Sequence, residues 1–311
     1  MEFSWERLRV FNAVAEHSSI GAAAAALYIT APAVSQQVRK LEREARCPLI
    51  EPDGRGIRLT AAGRVLAESV RVMAGAAHTA AREISSLDDL VVGPLRIGSM
   101  ASMVRTLLPG VLRNLAVDHP RLQPWVSDGE VTELLTQLAG RQIEVAIVES
   151  WNGAPAELPT GTRMTSLFTE DVELAVASNH PLAHQPRVSL AELTGHSWAA
   201  CRVDSDTNRA MRAALRRHGI TVELRYQVVD CVTQLALVAA GLAIALVPRS
   251  ARPAEVPGVS FLTSCPLVRR EVAVVTRSDD ETPVVRAFLS ELRDAAAKMA
   301  NAQVARPPTG V

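Results

Sequence analysis

The chain has 311 residues, 48% of them hydrophobic, and its 33 basic side chains are balanced by 33 acidic ones. This length predicts two or three domains with well-packed cores. The balanced charge excludes attraction to nucleic acid through net charge, so any contact with DNA or RNA must depend on a local basic patch.

The N-terminal segment MEFSWERLRVFNAVAEHSS is charged and amphipathic, and it lacks the apolar core and cleavage site of a signal peptide. No later stretch reaches the ~18 uncharged apolar residues that would cross a membrane. The longest apolar run, residues 235–247, is shorter and contains a glycine. We therefore expect a cytoplasmic protein.

Three short helices are predicted next. Apolar residues recur at helical spacing from Trp5 to Glu16, an alanine-rich helix runs from Ile20 to about Leu27, and a third helix runs from Pro32 to about Ala45. Thr30 is the candidate N-cap of the third helix, whose first turn contains a proline. Two helices joined by a short turn, the second with a polar and basic face, predict a helix-turn-helix.

The segment CPLIEPDGRGIRLT, residues 47–60, predicts two short strands around a glycine-rich turn, which form a wing. The first residues of a recognition helix reach base edges, and glutamine can pair with adenine. Arginine and lysine further along suit phosphate, while arginine of the wing suits a narrow minor groove or the backbone. The candidate DNA-binding residues are Thr30, Ala31, Pro32, Ser35, Gln36, Gln37, Arg39, Lys40, Arg55 and Arg58. A merely solvated helix face is the alternative.

Thr60 is expected to cap a long helix from Ala61 to about Leu87, which ends at the breaker Gly93-Pro94. About 27 residues would form a rod of ~40 Å. Its broken apolar stripe and the lack of a neighbouring helix in the sequence predict pairing with a second copy of the chain.

From Leu95 onward, strand and helix patterns alternate, which implies a mostly parallel sheet with helices on its faces. A helix is predicted at residues 101–116 and a closing helix at 282–300, and the tail is expected to be disordered. Ligands of such sheets bind beyond the carboxyl ends of the strands. That rule selects as candidate effector-binding residues Ser99, Met100, Ala101, Ser102, Asp128, Gly129, Glu149, Arg202, Val203 and Asp230.

These candidates suggest a hypothesis for the ligand. Helix N–H groups after Ser99 suit an anion, Arg202 could clamp an acidic group, and Asp128 or Glu149 could accept an ammonium. Together they would suit an amino acid or similar zwitterion. Asp230 is equally well explained as a plain N-cap, and Glu149 as a surface residue.

The four cysteines, Cys47, Cys201, Cys231 and Cys265, fit no zinc pattern, and no histidine belongs to a metal motif. Reduced, mostly buried thiols are expected, with a redox pair between Cys201 and Cys231 as the alternative. The sequence contains no G-x-S-x-G motif and no P-loop. We therefore predict no metal, no cofactor and no enzymatic activity.

The segment Leu8–Gly63 resembles the DNA-binding end of LysR-type transcriptional regulators, through PAVSQQVRKLE in the third helix and GRGIRLT in the wing. Downstream, LRIGS, LLTQLAGRQIEVAIV and VAAGLAIALVP follow in the order expected of that family, so the resemblance spans about residues 3–300. Ala31 and Gln36 stand where many members have glutamine and arginine, and the run Ala22–Ala26 lacks the polar residues common there. The alanines at 22–26 and 31 predict greater reliance on Gln36, Gln37 and the wing.

The resemblance implies an α+β multi-domain fold: an N-terminal winged helix-turn-helix, a long linker helix and a C-terminal two-lobed α/β periplasmic-binding-protein-like (type 2) effector domain. The expected boundaries are 1–60, 61–91 and 92–311, with lobe one at 92–162 and 268–301, lobe two at 163–267 and a disordered tail at 302–311. It also implies promoter DNA, a small-molecule effector and a homodimer or homotetramer as partners, with a possible contact to RNA polymerase.

Two other classes of protein were weighed. A solute-binding protein would share the two-lobed fold, but it needs a signal peptide and leaves residues 1–90 unexplained. An enzyme on the same scaffold would need catalytic motifs that the sequence lacks.

Overall fold

The computed structural model describes residues 3–54, 56–85, 90–151, 157–185, 187–253, 255–280 and 282–305. These residues fall into two compact units, the first extending to Ile84 and the second containing nearly all of the remainder. Within the described ranges, no helix combines the length and apolarity that a membrane span requires.

The N-terminal unit contains three short helices, an antiparallel hairpin and a long helix: α1 (Trp5–His17), α2 (Ile20–Ala26), α3 (Ala31–Ala45), β1 (Ile50–Asp53), β2 (Gly56–Leu59) and α4 (Ala61–Ser85). The predicted caps are confirmed. The Thr30 hydroxyl accepts a hydrogen bond from the Ala33 N–H at 3.4 Å, and the Thr60 hydroxyl accepts one from the Gly63 N–H at 3.0 Å.

The alanine run of α2 is a packing surface. Only Ala23 and Ala24 of the run are buried, and they pack with Val14 of α1 and with Val34 and Val38 of α3. Because alanine carries a single methyl group, α1 and α3 can both approach α2 closely. The core of this unit therefore positions α3 and leaves its opposite face exposed.

The C-terminal unit alternates strands and helices: β3 (Gly93–Ser99), α5 (Ala101–Thr106), α6 (Leu108–Asp118), β4 (Leu122–Asp128), α7 (Val131–Ala139), β5 (Val145–Trp151), β6 (Thr162–Ala177), β7 (Arg187–Ser189), β8 (Ser197–Cys201), α8 (Asp206–Arg216), β9 (Glu223–Val228), α9 (Cys231–Ala239), β10 (Ala245–Pro248), β11 (Val259–Cys265), β12 (Val268–Arg277) and α10 (Pro283–Ala305). Three short 3₁₀ helices lie at Pro181–His184, Leu190–Leu193 and Arg249–Ala251.

The main sheet has the strand order β4-β3-β5-β12-β6-β11-β7, with β10 also paired to β6. Strands β4, β3 and β5 are parallel, but β12 is antiparallel to both of its neighbours. The expectation of a mostly parallel sheet therefore holds for β4, β3 and β5 and again for the pair β11–β7. It fails in the middle of the sheet, where β6 is antiparallel to β10, β11 and β12. Strand β12 is antiparallel because the chain returns from the second lobe in the opposite direction.

Two lobes are joined through the long strand β6. Its first residues pair with β12, and Phe168 packs in the core of lobe one, whereas Leu174 packs in the core of lobe two. The expected lobe boundary at residues 162/163 falls at the start of this strand. The structure shows the crossover farther along, because the N-terminal half of β6 contributes to the sheet and core of lobe one.

Two further expectations need correction. The single helix predicted at residues 101–116 is divided into α5 and α6 at Leu107, because Pro109 in the first turn of α6 cannot donate a backbone hydrogen bond. The closing helix α10 extends to Ala305, so residues 302–305 of the expected disordered tail are helical. Residues 306–311 lie outside the described ranges.

Candidate functional site

The exposed face of α3 presents most of the predicted contact residues. Thr30, Ala31, Pro32, Gln36 and Arg39 are exposed, and Ser35, Gln37 and Lys40 are half-buried. The Ser35 hydroxyl donates to the carbonyl of Ala31 at 3.0 Å, so part of its hydrogen-bonding capacity is used within the helix. Gln36 and Gln37 follow Ser35 directly in the helix, so they are the next polar side chains on α3.

A strip of positive charge extends along the same helix. It consists of Arg39, Lys40, Arg43 and Arg46, and none of these four side chains has an ion pair among the described residues. Glu42 does not neutralise them through a pair, because its Oε1 accepts the N–H groups of Leu49 at 2.8 Å and Ile50 at 3.3 Å. Because the net charge is balanced, contact with nucleic acid requires a local basic patch. These four basic residues form such a patch on α3 and its C-cap.

The wing is the antiparallel pair β1–β2. On it, Arg58 donates to Glu51 Oε1 from Nε at 3.1 Å, and its NH2 lies 3.0 Å from the same oxygen. An exposed pair of this kind is worth at most ~1 kcal/mol, so it does not prevent Arg58 from reaching a phosphate. The other wing candidate, Arg55, lies outside the described residues.

A second candidate site is a cavity of about 280 Å³ between the two lobes. Lobe one contributes Met100, Ala101, Ser102, Asp128, Gly129 and Glu149, and lobe two contributes Cys201, Asn208, Met211, Asp230 and Cys231. This volume is close to the lower end of the range for small-molecule sites. We call it the inter-lobe cavity.

The buried Glu149 and Arg270 line the inter-lobe cavity, and Arg270 also pairs with the buried Glu170. Arg270 NH1 is 2.8 Å from Glu149 Oε2, and Arg270 NH2 is 2.6 Å from Glu170 Oε1. Burial alone would lower the pKa of Arg270, but the charges and hydrogen bonds of Glu170 and Glu149 outweigh it and raise that pKa. The Ser102 hydroxyl also accepts from Arg270 NH1, at 3.2 Å.

Hydrogen bonds connect the lobes beside the cavity. Asp206 Oδ2 accepts the Thr132 N–H at 2.6 Å, and Glu130 Oε2 accepts the Asp206 N–H at 2.8 Å. Thr207 donates its hydroxyl to Glu149 at 2.7 Å. Helix α7 of lobe one and α8 of lobe two therefore satisfy each other's first N–H groups through carboxylates.

Burial raises the pKa of Glu130 against the opposing hydrogen bond from Asp206, and the charges of Asp206 and Glu149 raise it further. Asp230, by contrast, is the N-cap of α9 and accepts the Thr233 N–H at 2.8 Å. That hydrogen bond lowers the pKa of Asp230, which keeps the carboxylate ionised.

Two family models match this chain. The bacterial regulatory helix-turn-helix of the lysR family matches residues 5–64, and the LysR substrate binding domain matches residues 88–297. The chain belongs to the LysR family of transcriptional regulators. It is accordingly a DNA-binding regulator with an effector-binding domain, and the predicted fold class is confirmed.

Similar LysR-type proteins cover nearly the whole chain. The hydrogen peroxide-inducible genes activator of Dickeya chrysanthemi is 28% identical over 275 residues, which is 87% of this chain and 88% of that protein. The RuBisCO operon transcriptional regulator of Acidithiobacillus ferrooxidans is 27% identical over 296 residues, or 94% of each chain. The solved structure of an OxyR mutant of Corynebacterium glutamicum, bound to H₂O₂, has 26% identity and a TM-score of 0.62, and the match covers 100% of this chain and 99% of that one.

Within this LysR-type chain, seven of the ten predicted effector-binding residues line the inter-lobe cavity: Met100, Ala101, Ser102, Asp128, Gly129, Glu149 and Asp230. Glu149 is buried and precedes the end of β5 by two residues, so it is neither a surface residue nor the end of the strand. Ser99 is buried beneath the cavity, where its hydroxyl donates to the Met100 carbonyl at 3.2 Å.

The expectation that Arg202 clamps an acidic ligand is corrected by the structure. Arg202 and Val203 do not line the cavity, and the Arg202 guanidinium is exposed and lies 3.0 Å from Asp204. The expected anion site at the start of α5 is also not supported, because that helix has only six residues and the Ser102 hydroxyl already accepts from Arg270.

Sequence reasoning missed several residues of the cavity, above all Arg270, Cys231, Asn208 and Arg105. Arg270 is the third residue of β12. A charged residue close to the apolar run VAVV of that strand was the available signal. Asn208 lies on α8, a helix that the sequence analysis did not predict between two strands.

Both candidate redox thiols, Cys201 and Cys231, line the inter-lobe cavity. Burial raises the pKa of Cys201 to about 12 and that of Cys231 to about 11. Because the thiolate is the reactive form, burial disfavours reaction of both thiols at neutral pH. All four cysteines are free.

Proposed function

We propose that this regulator binds promoter DNA through the exposed face of α3 together with the β1–β2 wing. The observation that carries the proposal is the strip of Arg39, Lys40, Arg43 and Arg46, which follows the exposed first turn along the second half of the helix and its C-cap. Four cations without a carboxylate partner suit the phosphate backbone, which fixes the position of the helix. Gln36 and Gln37 then read base edges, and adenine is the base that glutamine pairs with best.

We further propose that a small molecule in the inter-lobe cavity changes the affinity for DNA. Support comes from the position of the cavity, whose lining belongs to both lobes, so that a ligand there contacts both. A ligand can shift an equilibrium between two arrangements only if it binds one of them better. The hydrogen bonds between α7 and α8 define one such arrangement.

Ligand binding, rather than oxidation of a thiol, is the switch that we propose. Relatives of this chain are named for induction by hydrogen peroxide. In this chain, however, burial raises the pKa of both cavity thiols to about 11 or 12. The thiolate is the nucleophile that attacks peroxide, so the local environment of these two cysteines opposes that chemistry.

The working form that we propose is a homodimer paired through α4, assembled further into a tetramer, with promoter DNA and RNA polymerase as its contacts in the cytoplasm. Helix α4 has 25 residues, which at 1.5 Å each gives a rod of about 37 Å. It exposes the apolar side chains of Val65, Val72, Met73 and Ile84. Pairing would bury that surface. An enzymatic role is not part of the proposal.

A mobility-shift assay tests the proposal. The full chain is titrated onto duplex DNA from upstream of its own gene and onto a scrambled duplex of equal length, at several salt concentrations. We expect the native duplex to bind at least 100-fold more tightly, with an affinity that falls steeply with salt. Equal binding to both duplexes, or no shift at all, would contradict the proposal.

A further inference from the structure

The inter-lobe cavity carries an excess of negative charge. Five carboxylates line it, those of Asp128, Glu130, Glu133, Glu149 and Asp230, against the guanidinium groups of Arg105 and Arg270, which gives the lining a formal charge of −3. A cavity wall of one sign raises the local concentration of ligands of the opposite sign.

The two guanidinium groups are already engaged within the protein. Arg270 pairs with Glu149 at 2.8 Å and with Glu170 at 2.6 Å, so one buried cation faces two buried carboxylates. Arg105 donates to the Ala251 carbonyl at 3.5 Å, and its charge helps to keep the Asp230 carboxylate ionised. An anionic ligand would therefore have to compete with two buried carboxylates for Arg270.

Asp128 is the carboxylate best placed to receive a cation. It ends β4 and lines the cavity, and it has no hydrogen bond or ion pair among the described residues. Glu130, two residues away, has its pKa raised first by burial and further by the neighbouring charges of Asp206 and Glu149. A ligand cation beside Glu130 would offset the repulsion that Glu130 experiences from Asp206 and Glu149.

Two buried side chains of the lining also have unmet hydrogen-bonding capacity. Asn208 is 1% exposed; its Nδ2 donates to the Cys201 carbonyl at 2.7 Å, whereas its Oδ1 has no partner among the described residues. Trp151 is 2% exposed, and its indole N–H likewise has no partner within the described part of the chain. Buried polar atoms are rarely left unsatisfied, so both point to a ligand.

Apolar side chains surround the same space, namely Met100, Val131, Met211, Val229 and Leu246, beside the polar side chains of Ser102, Thr207 and Gln234. At ~30 Å³ for each water displaced, the 280 Å³ cavity corresponds to about nine water molecules. It therefore suits a compact ligand of roughly ten non-hydrogen atoms that combines one polar end with an apolar body.

We infer that the effector is a small protonated amine with an apolar, ring-sized body. The N–H groups of the amine donate to the Asp128 carboxylate and to the side-chain oxygen Oδ1 of Asn208. The inference rests on the proposed function of this cavity as the effector site. An aromatic body could accept the Trp151 N–H through its π face. The amine replaces the zwitterion suggested by the sequence, because Arg202 does not line the cavity.

The test compares three ligands of matched size on the full chain by isothermal titration calorimetry: 2-phenylethylamine, 2-phenylethanol and phenylacetate. We expect the amine to bind at least tenfold more tightly than the neutral alcohol, and the carboxylate to bind most weakly. Equal affinities, a preference for phenylacetate, or no binding of the amine would each overturn the inference.

Two variants locate the binding site. Asp128→Asn should weaken the amine at least tenfold and leave the affinity for 2-phenylethanol unchanged. Asp118→Asn, at an exposed carboxylate outside the cavity lining, is the matched control and should change neither affinity. An unchanged amine affinity in Asp128→Asn would overturn the assignment of this carboxylate.

The mobility shift separates this inference from the proposed function. If native DNA still shifts but the amine does not bind, the ligand class is wrong while promoter binding stands. If the amine binds as expected but leaves DNA binding unchanged, the cavity takes a cation and the proposed switching role fails.

Discussion

Asp206 on α8 accepts the backbone N–H of Thr132 on α7 at 2.6 Å, and this hydrogen bond joins the two lobes. The Thr132 hydroxyl donates to the same carboxylate at 3.0 Å. Asp206 therefore acts as an N-cap for a helix in the other lobe, a role normally played by the residue that precedes a helix in the chain. The contact between the lobes and the capping of α7 therefore use the same carboxylate.

Replacement of Asp206 by alanine should loosen the lobes. Loss of an N-cap costs ~1 kcal/mol, which corresponds to a roughly fivefold faster opening of the first turn of α7. Hydrogen–deuterium exchange of backbone amides at residues 131–134 measures this. Asp204→Ala is the control, because Asp204 is exposed and its carboxylate pairs with Arg202. Unchanged exchange in Asp206→Ala would show that the cap does not limit opening.

Arg270→Met should be strongly destabilising. The substitution keeps most of the side-chain volume but leaves the buried carboxylates of Glu149 and Glu170 without their shared cation. Breaking a buried pair on one side costs ~3–5 kcal/mol in the free energy of unfolding. Urea denaturation of the full chain measures it. Arg225→Met, which removes an exposed pair with Glu223, should change that free energy by less than about 1 kcal/mol.

Gly63 allows helix α4 to pass close to the chain just before the wing. A Cβ built at this position would overlap the carbonyl oxygen of Leu49. Gly63→Ala should therefore cost ~1–3 kcal/mol in the stability of the N-terminal unit, because one of the two backbones must move. Thermal unfolding followed by circular dichroism measures it.

Gly110, in α6, is the matched control, since a Cβ there meets no atom within 4 Å. Gly110→Ala should be neutral or stabilising by up to about 1 kcal/mol, because alanine favours the helix. If both variants unfold at the same temperature, the close approach at Gly63 has no energetic consequence.

The thiols of Cys201 and Cys231 should resist alkylation. With pKa values of about 12 and 11, only about one thiol in 10⁴ or 10³ is ionised at pH 8. Their labelling by iodoacetamide should rise about tenfold per pH unit through the range in which the fold persists. Cys265 is exposed and should label first, and Cys265→Ser should remove that rapid phase. Rapid labelling of Cys201 at pH 8 would contradict its burial.

Variants of α3 should separate positioning of the helix from reading of bases. Arg39→Ala should weaken binding to all duplexes alike and reduce the salt dependence by about one ion, because Arg39 is assigned to phosphate. Gln36→Ala should cost ~1–3 kcal/mol on the native operator and little on scrambled DNA. Arg113→Ala, an exposed arginine of the C-terminal unit, is the control. A sequence-dependent loss in Arg39→Ala would reverse its assigned role.

Local chemistry in the sequence was sufficient for the N-terminal unit. Thr30 caps α3 and Thr60 caps α4 as predicted, because an N-cap depends on atoms three residues apart. The apolar stripe of α3 likewise identifies its buried face, since the helical period fixes which side chains share a face. The exposed, cationic face of the recognition helix follows from the same period.

The tertiary structure alone decided the chemistry of the inter-lobe cavity. The rule for strand ends located Asp128 and Asp230 correctly, but it does not specify where a side chain points, and Arg202 lies outside the cavity lining. Arg270 meets Glu149 across 121 residues and Glu170 across 100, through neighbouring strands whose pairing depends on the chain crossing between the lobes. Short-range patterns were enough to identify the family and the helices and caps of the N-terminal unit, whereas they did not separate α5 from α6 or predict α8. The charge of the ligand site depended on long-range strand pairing, which no local pattern encodes.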